Sequence, residues 1–258
     1  MNSGDCRTAL EGCDLLFHLA ARVAIRSSFD FIVEDTMCNV VGTACILREA
    51  VKGGSVRKVI SASSMGVYSD SAAPIAISEN HPTVPASPYG VSKLALEQLT
   101  HCVAASAGME SVVLRLFNTY GPGQRLSPYV GVITIFINKL RAGERPTIFG
   151  DGCQARDFVH VDDVVSGFLG AMDAPVNGET INIGTGTPHT VNQVFEVVAG
   201  VFESGLSPIY APGVPGELRY SIASIEKAER LLGFRPAFKF EESIPAVIAQ
   251  VLAKATTS

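Results

Sequence analysis

Tyr89 and Lys93 stand four residues apart in the run Ser87-Pro88-Tyr89-Gly90-Val91-Ser92-Lys93. On a helix that spacing puts both side chains on one face, with the ammonium near the phenol. A free phenol titrates at about 10. A neighbouring cation favours the phenolate, which lets a tyrosine give and take protons near neutral pH. Many helices carry such a pair by chance, so the pair alone is weak evidence. Ser63 and Ser64 add to it. They follow an apolar run, residues 56–61, and a hydroxyl at the carboxyl end of a parallel strand faces ligands. Taken alone, the two serines read as an ordinary turn.

The elements needed to hold these residues are legible. Residues 14–19 form a short apolar run that reads as a buried strand, and 31–51 as a helix closed by Gly53-Gly54. Residues 56–61 are the next strand, followed by a loop rich in Ser, Ala and Pro over 69–87. Ser87 and Pro88 are suited to the cap and first position of a helix that Gly108 closes, and 111–117 is another strand. This alternation predicts a parallel sheet with right-handed crossovers. Further on, 132–141 reads as a helix, 158–161 as a strand, Asp162 or Asp163 as the cap of a helix to Met172, and 180–183 as a strand. Thr190 and Gln193 fit a capping box, Ser224 fits a cap before a helix ending near Gly233, and a last helix covers 242–254.

Composition narrows the class. With 47% hydrophobic and 17% charged residues, the chain can bury a large core and is not disordered. A net charge of −5 with scattered Lys and Arg offers no basic stripe for nucleic acid. The six cysteines show no metal-ligand spacing and read as reduced, structural thiols, and the five histidines lie too far apart to suggest a metal site. No leader pattern or bilayer-length apolar stretch is present, so a cytoplasmic protein without membrane contact is expected.

Ser61-Ala62-Ser63-Ser64-Met65-Gly66-Val67-Tyr68, followed by Ser87-Pro88-Tyr89-Gly90-Val91-Ser92-Lys93, resembles the Ser/Tyr/Lys region of extended short-chain dehydrogenase/reductases. Within that group it is similar to the NAD-dependent epimerase/dehydratase family, UDP-glucose 4-epimerase-like members above all. Leu114-Arg115-Leu116-Phe117-Asn118-Thr119-Tyr120-Gly121-Pro122, the segment from Gly150 to Val164, and Asn182-Ile183-Gly184-Thr185-Gly186 match later family signatures in family order. The resemblance implies an α/β fold: a Rossmann-type parallel sheet lacking its first strands, with a smaller α/β substrate-binding domain. The NAD-binding part would be residues 1–118 plus about 158–185, and the sugar-nucleotide-binding part 119–157 and 186–258.

The same resemblance assigns roles. Ser64 and Tyr89 would flank the reacting hydroxyl, with Tyr89 as acid/base, and Lys93 would lower the Tyr89 pKa and hold the nicotinamide ribose. Asp5 would meet the adenine of NAD. Ala20, Ala21 and Arg22 would lie along the cofactor, with Ser63 and Phe117 bordering it and Asn39 behind it. Asn118, Arg156 and Arg219 would reach the phosphates of a UDP-hexose. Members commonly pair as homodimers through two helices, here about 31–51 and 89–107.

The family's glycine-rich GxxGxxG turn does not precede residue 14. By resemblance the chain starts near the end of the family's third strand, as an N-terminally truncated member. Weak NAD binding and an apolar edge at residues 14–19 are then expected. The arginine expected before Pro-Gly-Glu is Val214. Met65-Gly66 follows Ser64 where family dehydratases carry Asp-Glu and decarboxylases a Glu, which points to an epimerase. The alternatives are an NAD(P)-dependent sugar-nucleotide or ketone reductase, or a catalytically silent member acting as a binding protein.

Overall fold

The computed structural model describes residues 3–23, 27–71, 73–124, 131–213 and 218–255. The chain opens with helix α1 (Ser3–Leu10), which the sequence patterns did not suggest, and strand β1 (Leu15–His18). One continuous helix follows, built from α2 (Ile32–Asp35), a π-helical stretch (Thr36–Val41) and α3 (Gly42–Gly53). Gly54, at φ 68°, takes the left-handed conformation that ends it. Next come β2 (Lys58–Ser64) and α4 (Pro88–Ser106), whose N-cap Ser87 accepts from the Gly90 amide at 3.1 Å with Pro88 just inside. β3 (Glu110–Leu116) and β4 (Asn118–Tyr120) lead to α5 (Val132–Arg141), β5 (Thr147–Phe149) and β6 (Ala155–His160). Then follow α6 (Val161–Asp173), β7 (Glu179–Ile183), β8 (Pro188–Thr190), α7 (Val191–Val201) and β9 (Ile209–Ala211). β10 (Tyr220–Ser221), α8 (Glu226–Leu232) and α9 (Phe240–Ala255) complete the chain.

β1, β2, β3 and β7 form a parallel sheet in that order. All seven residues of β2 are buried, as a parallel strand covered by helices on both faces requires. On one face Ile60, Val112, Leu114 and Ile181 pack against Val164 and Phe168 of α6 and Ala228 of α8. On the other, Val59 packs with Leu47 and Ala50 of α3 and Ala104 of α4. β1 is the sheet's edge among the described residues, and Phe17 and Leu19 are exposed there, the apolar edge the sequence led us to expect. A second layer joins β10, β6 and β4, with β8 antiparallel to β6, over a core of Phe136, Phe158, Phe195 and Ile244. The chain passes to this layer after β3 and returns to the first sheet through α6 and β7.

Two caps differ from the expectation. His160, not Asp162 or Asp163, caps α6 by accepting from the Asp162 amide at 3.2 Å. Asp163 instead turns back to accept from the amides of Ala237 and Phe238. Ile225, not Ser224, holds the cap position of α8 and makes no side-chain cap. The capping box of Thr190 and Gln193 forms as expected. All six cysteines are free, and no helix of the described residues is long and apolar enough to cross a membrane.

Candidate active site

The site forms where α4 starts beside the carboxyl end of β2. Gly90 makes that approach possible: a Cβ at this position would stand 2.2 Å from the Gly66 carbonyl oxygen. With the two backbones in contact, the Tyr89 phenol lies beside Ser64, which favours its ionised form, and the Ser64 hydroxyl accepts from the Gly66 amide at 3.1 Å. Lys93 Nζ lies 6.0 Å from the Tyr89 ring centroid and donates to the Ala62 carbonyl at 2.9 Å. Tyr89 and Lys93 are 4% and 3% exposed, so both sit in a nearly dry wall. The expected triad is therefore assembled.

Its electrostatics depart from the expectation. Burial pushes the Tyr89 phenol up to about 12, outweighing the Ser64 hydrogen bond, and the carboxylate of Asp35 pushes the same way. Burial also pulls Lys93 down to about 8. The Lys93 ammonium is engaged by the Ala62 carbonyl, and both groups have lost their water, so burial dominates at Tyr89.

The loop after β1 is clipped to this wall. Asn39, on the π-helical stretch, accepts from the Arg22 amide at 2.8 Å and donates to the Arg22 carbonyl and to Ser92 Oγ on α4. π-Turns often mark functional positions, and this one aims Asn39 inward. Ala20 is exposed, and Ala21 and Arg22 are half-buried. Arg22 pairs with Asp35 at 3.0 Å and lies over the Phe31 ring, while Asp35 Oδ2 is buried without a partner. His18 bonds Thr43 at 2.8 Å, a structural histidine as expected. Asp5 is exposed in the first turn of α1, which packs on α3.

Several expected contacts are engaged elsewhere. Ser63 donates its hydroxyl to Glu97. Phe117 is 3% exposed in a cluster with Met65, Val67 and Tyr68. The Arg219 guanidinium forks onto Asp151 at 2.8 and 2.9 Å, which holds the Asp151 carboxyl down at about 2. Arg156 sits beside it, donating to the carbonyls of Ala155 and Arg219. Both arginines therefore share one edge, formed by β6 and β10, with the Arg219 guanidinium held by Asp151. Asn118 Nδ2 is different: it is buried with no partner, a donor with nothing to bond. Val214 lies outside the described residues.

Three groups near the site were not singled out from sequence. Glu97 and Arg115 form a buried, two-pronged ion pair at 2.9 and 2.7 Å, with Arg115 also donating to Tyr68 Oη at 2.9 Å. Asp157 accepts from the Thr185, Gly186 and Ala223 amides and fixes the turn after β7. The signals existed: Glu97 is one turn beyond Lys93, and Arg115 interrupts an apolar strand. The described residues hold no group of three or more His, Cys, Asp or Glu arranged for a metal.

Tyr89 and Lys93 face the carboxyl end of β2 in the parallel sheet, and Leu19, just after β1, is 57% exposed. Asp35 Oδ2 adds a buried acceptor with nothing to bond.

A doubly layered α/β chain with this Ser/Tyr/Lys wall defines a nucleotide-dependent oxidoreductase-like scaffold. Residues 1–184 match the model of the NAD dependent epimerase/dehydratase family, and the chain belongs to that family. A putative UDP-glucose 4-epimerase of Methanocaldococcus jannaschii is 36% identical over 235 residues, covering 91% of this chain and 76% of that protein. A UDP-N-acetyl-alpha-D-glucosaminuronate decarboxylase of Bacillus cytotoxicus is 30% identical over 246 residues, covering 91% of this chain and 75% of its own. The crystal structure of a UDP-glucose 4-epimerase from Thermotoga maritima with UDP-glucose superposes with a TM-score of 0.94 at 32% identity, covering 98% of this chain and 82% of that one. The protein is an enzyme of the NAD-dependent nucleotide-sugar epimerase type.

Proposed function

We propose that the protein is a UDP-hexose 4-epimerase, with the carrying observation at Ser64 and the two residues after it. A side chain at position 66 would border both Ser64 Oγ, 3.4 Å from a built Cβ, and the Tyr89 ring, 3.7 Å away. That position is glycine, and Met65 before it is apolar and buried. The wall therefore lacks the extra acid that dehydration or decarboxylation would place there. What is left is a lone tyrosine and its serine, suited to moving one proton on and off one hydroxyl.

The steps assigned to this chain are few. Ser64 hydrogen-bonds the C4 oxygen and Tyr89 exchanges its proton, while Lys93 supplies positive charge beside the phenol. NAD, when bound, supplies the hydride acceptor and donor. Asn118 donates its free Nδ2 to a phosphate of the substrate, and Arg156 and Arg219 supply guanidinium forks. Asp5, Ala20, Ala21, Arg22 and Phe117 line the cofactor's path. Asn39 acts behind them by holding the β1 loop to α4. Residues 1–118 with 158–185 carry NAD, and 119–157 with 186–258 carry the sugar nucleotide.

The active protein is a homodimer. Val33, Met37 and Val41 recur every four residues along the first helix and are 70%, 51% and 37% exposed, and Val91 on α4 is 55% exposed. Two such helices from each copy would bury these faces together.

The test is direct. The protein, supplied with NAD, is incubated with UDP-galactose, UDP-N-acetylgalactosamine and UDP-galacturonate. Conversion of a UDP-hexose to its C4 epimer is expected. Turnover confined to loss of carbon dioxide or water would overturn the reading.

A further inference from the structure

β2 and α4 are laced together by polar contacts that run beyond the Ser64/Tyr89/Lys93 centre. Tyr89, Lys93 and Glu97 recur every four residues on one face of α4, so each stands one turn above the last. Opposite them, consecutive β2 residues receive them: Ser64 meets Tyr89, the Ala62 carbonyl takes Lys93, and the Ser63 hydroxyl donates to Glu97. Ser61 and Thr100 continue the series at 3.1 Å. Glu97 is 1% exposed, and its second support is the two-pronged Arg115 pair. Arg115 in turn donates to Tyr68 Oη, which donates to Asn182 Oδ1 at 2.7 Å on β7.

Four groups surround the Lys93 ammonium closely enough to act on it, through charge or, for Tyr89, through its ring. His18 comes from β1 and Cys38 from the π-helical stretch, while Tyr89 and Glu97 lie on α4 itself. Among them Glu97 is the one carboxylate. A buried ammonium keeps its proton only if an opposite charge is near.

On the epimerase reading above, we propose that Glu97 is a positioning residue: held by Arg115, it fixes the β2 end that receives Tyr89 and Lys93, and it supplies the countercharge that keeps Lys93 cationic. Burial pulls the Lys93 pKa down to about 8, and Cys38 first and then Glu97, one helical turn away on the same face of α4, push it up against that pull. Removing Glu97 alone would strand the Arg115 charge in the core. Replacing the ion pair as a unit with apolar side chains avoids that cost and often leaves stability unharmed.

The experiment compares wild type with Glu97→Leu/Arg115→Met, Glu97→Gln and Glu97→Asp, each checked for folding by circular dichroism. In the double variant kcat is expected to fall about tenfold or more, with KM for the UDP-sugar within about twofold. In Glu97→Gln, which removes the carboxylate charge alone, the alkaline limb of the kcat/KM profile, expected at about pH 8 in wild type, should move to lower pH. Glu97→Asp should recover part of both effects. A second readout needs no turnover: the Lys93 signal in 13Cε-lysine NMR, identified by its loss in Lys93→Met, should titrate at lower pH in the Glu97 variants. Should the double variant or Glu97→Gln not fold, Glu97→Asp, which keeps a carboxylate for Arg115 but draws it back from Ser63 and Lys93, gives the same two readouts at smaller size. Variants that melt earlier, yet keep the wild-type kcat, alkaline limb and Lys93 titration, would reduce Glu97 to a structural tie and overturn the proposal. Wild type inactive on every UDP-sugar would sink the epimerase reading instead, with the NMR titration still deciding the role of Glu97.

Discussion

A phenol held at about 12 keeps its proton through the physiological range, so by its surroundings in the fold Tyr89 is an acid rather than a base. It becomes a base only when positive charge gathers beside it, from Lys93 and from the oxidised nicotinamide. Tyr89→Phe removes the exchangeable proton but leaves the ring packed and Ser64 still bonded to the Gly66 amide. Turnover should fall by about 10²- to 10⁴-fold with Tm within a few degrees of wild type, read by a UDP-sugar assay and a thermal melt. A Tyr89→Phe protein with near-native turnover would remove the phenol from the mechanism. Asn118 gives a complementary case. Its Nδ2 is buried and unbonded, so the folded chain gains nothing from it. Asn118→Ala should therefore cost little stability but raise KM for the UDP-sugar about tenfold or more, the worth of one hydrogen bond to a charged group. Unchanged KM in a steady-state titration would place the phosphate elsewhere.

At the scale of elements, the strands and helices that carry the triad were readable, and the reason is burial. β2 and β3 lie inside on both faces, so hydrophobicity alone marks them, and Ser87-Pro88 announces α4 by local chemistry. What escaped is short or partner-dependent. β5, β9 and β10 are two or three residues long and exist through pairing with distant segments. The His160 cap depends on a turn that the sequence alone leaves open, since Asp162 and Asp163 look like better caps. Within the site, the Tyr89 and Lys93 spacing was legible because both lie on one helix. The Ser63 contact with Glu97 and the hold of Asp151 on Arg219 join elements far apart in sequence, which no local pattern records. His18 on β1 shows the energetic side of such contacts. Burial, with the Lys93 charge behind it, pulls its pKa from 6.5 to about 4. The folded value lies below the unfolded one, so the contribution is full above 6.5, shrinks as the unfolded chain takes up a proton below that, and is gone below about 4. The span corresponds to about 3 kcal/mol. His18→Gln keeps a hydrogen bond to Thr43 without the titration, so denaturant unfolding between pH 6.5 and 4 should show wild type losing up to about 3 kcal/mol more than the variant. Parallel losses in the two proteins would mean that His18 is not buried neutral.

For the whole molecule, the first helix and α4 serve two faces at once. Inward, the π-helical stretch turns Asn39 toward the β1 loop, and α4 presents Tyr89, Lys93 and Glu97 to β2. Outward, the same helices expose Val33, Met37, Val41 and Val91, with Ala44 and Cys102 nearby. An apolar surface on the backs of the two helices that set the site is costly to leave in water, each large side chain being worth about 1.5–3 kcal/mol when fully covered. Pairing two copies through four helices would cover it and stiffen the elements that position the triad. Light scattering on wild type should then give a mass near twice the 27.2 kDa chain. Val41→Glu/Val91→Glu puts like charges into the centre of that interface and should give single chains with a lower, concentration-independent Tm and reduced kcat. A wild type that runs as a single chain at micromolar concentration, and a charged variant with unchanged mass and kcat, would show that the exposed stripe belongs to neither assembly nor catalysis.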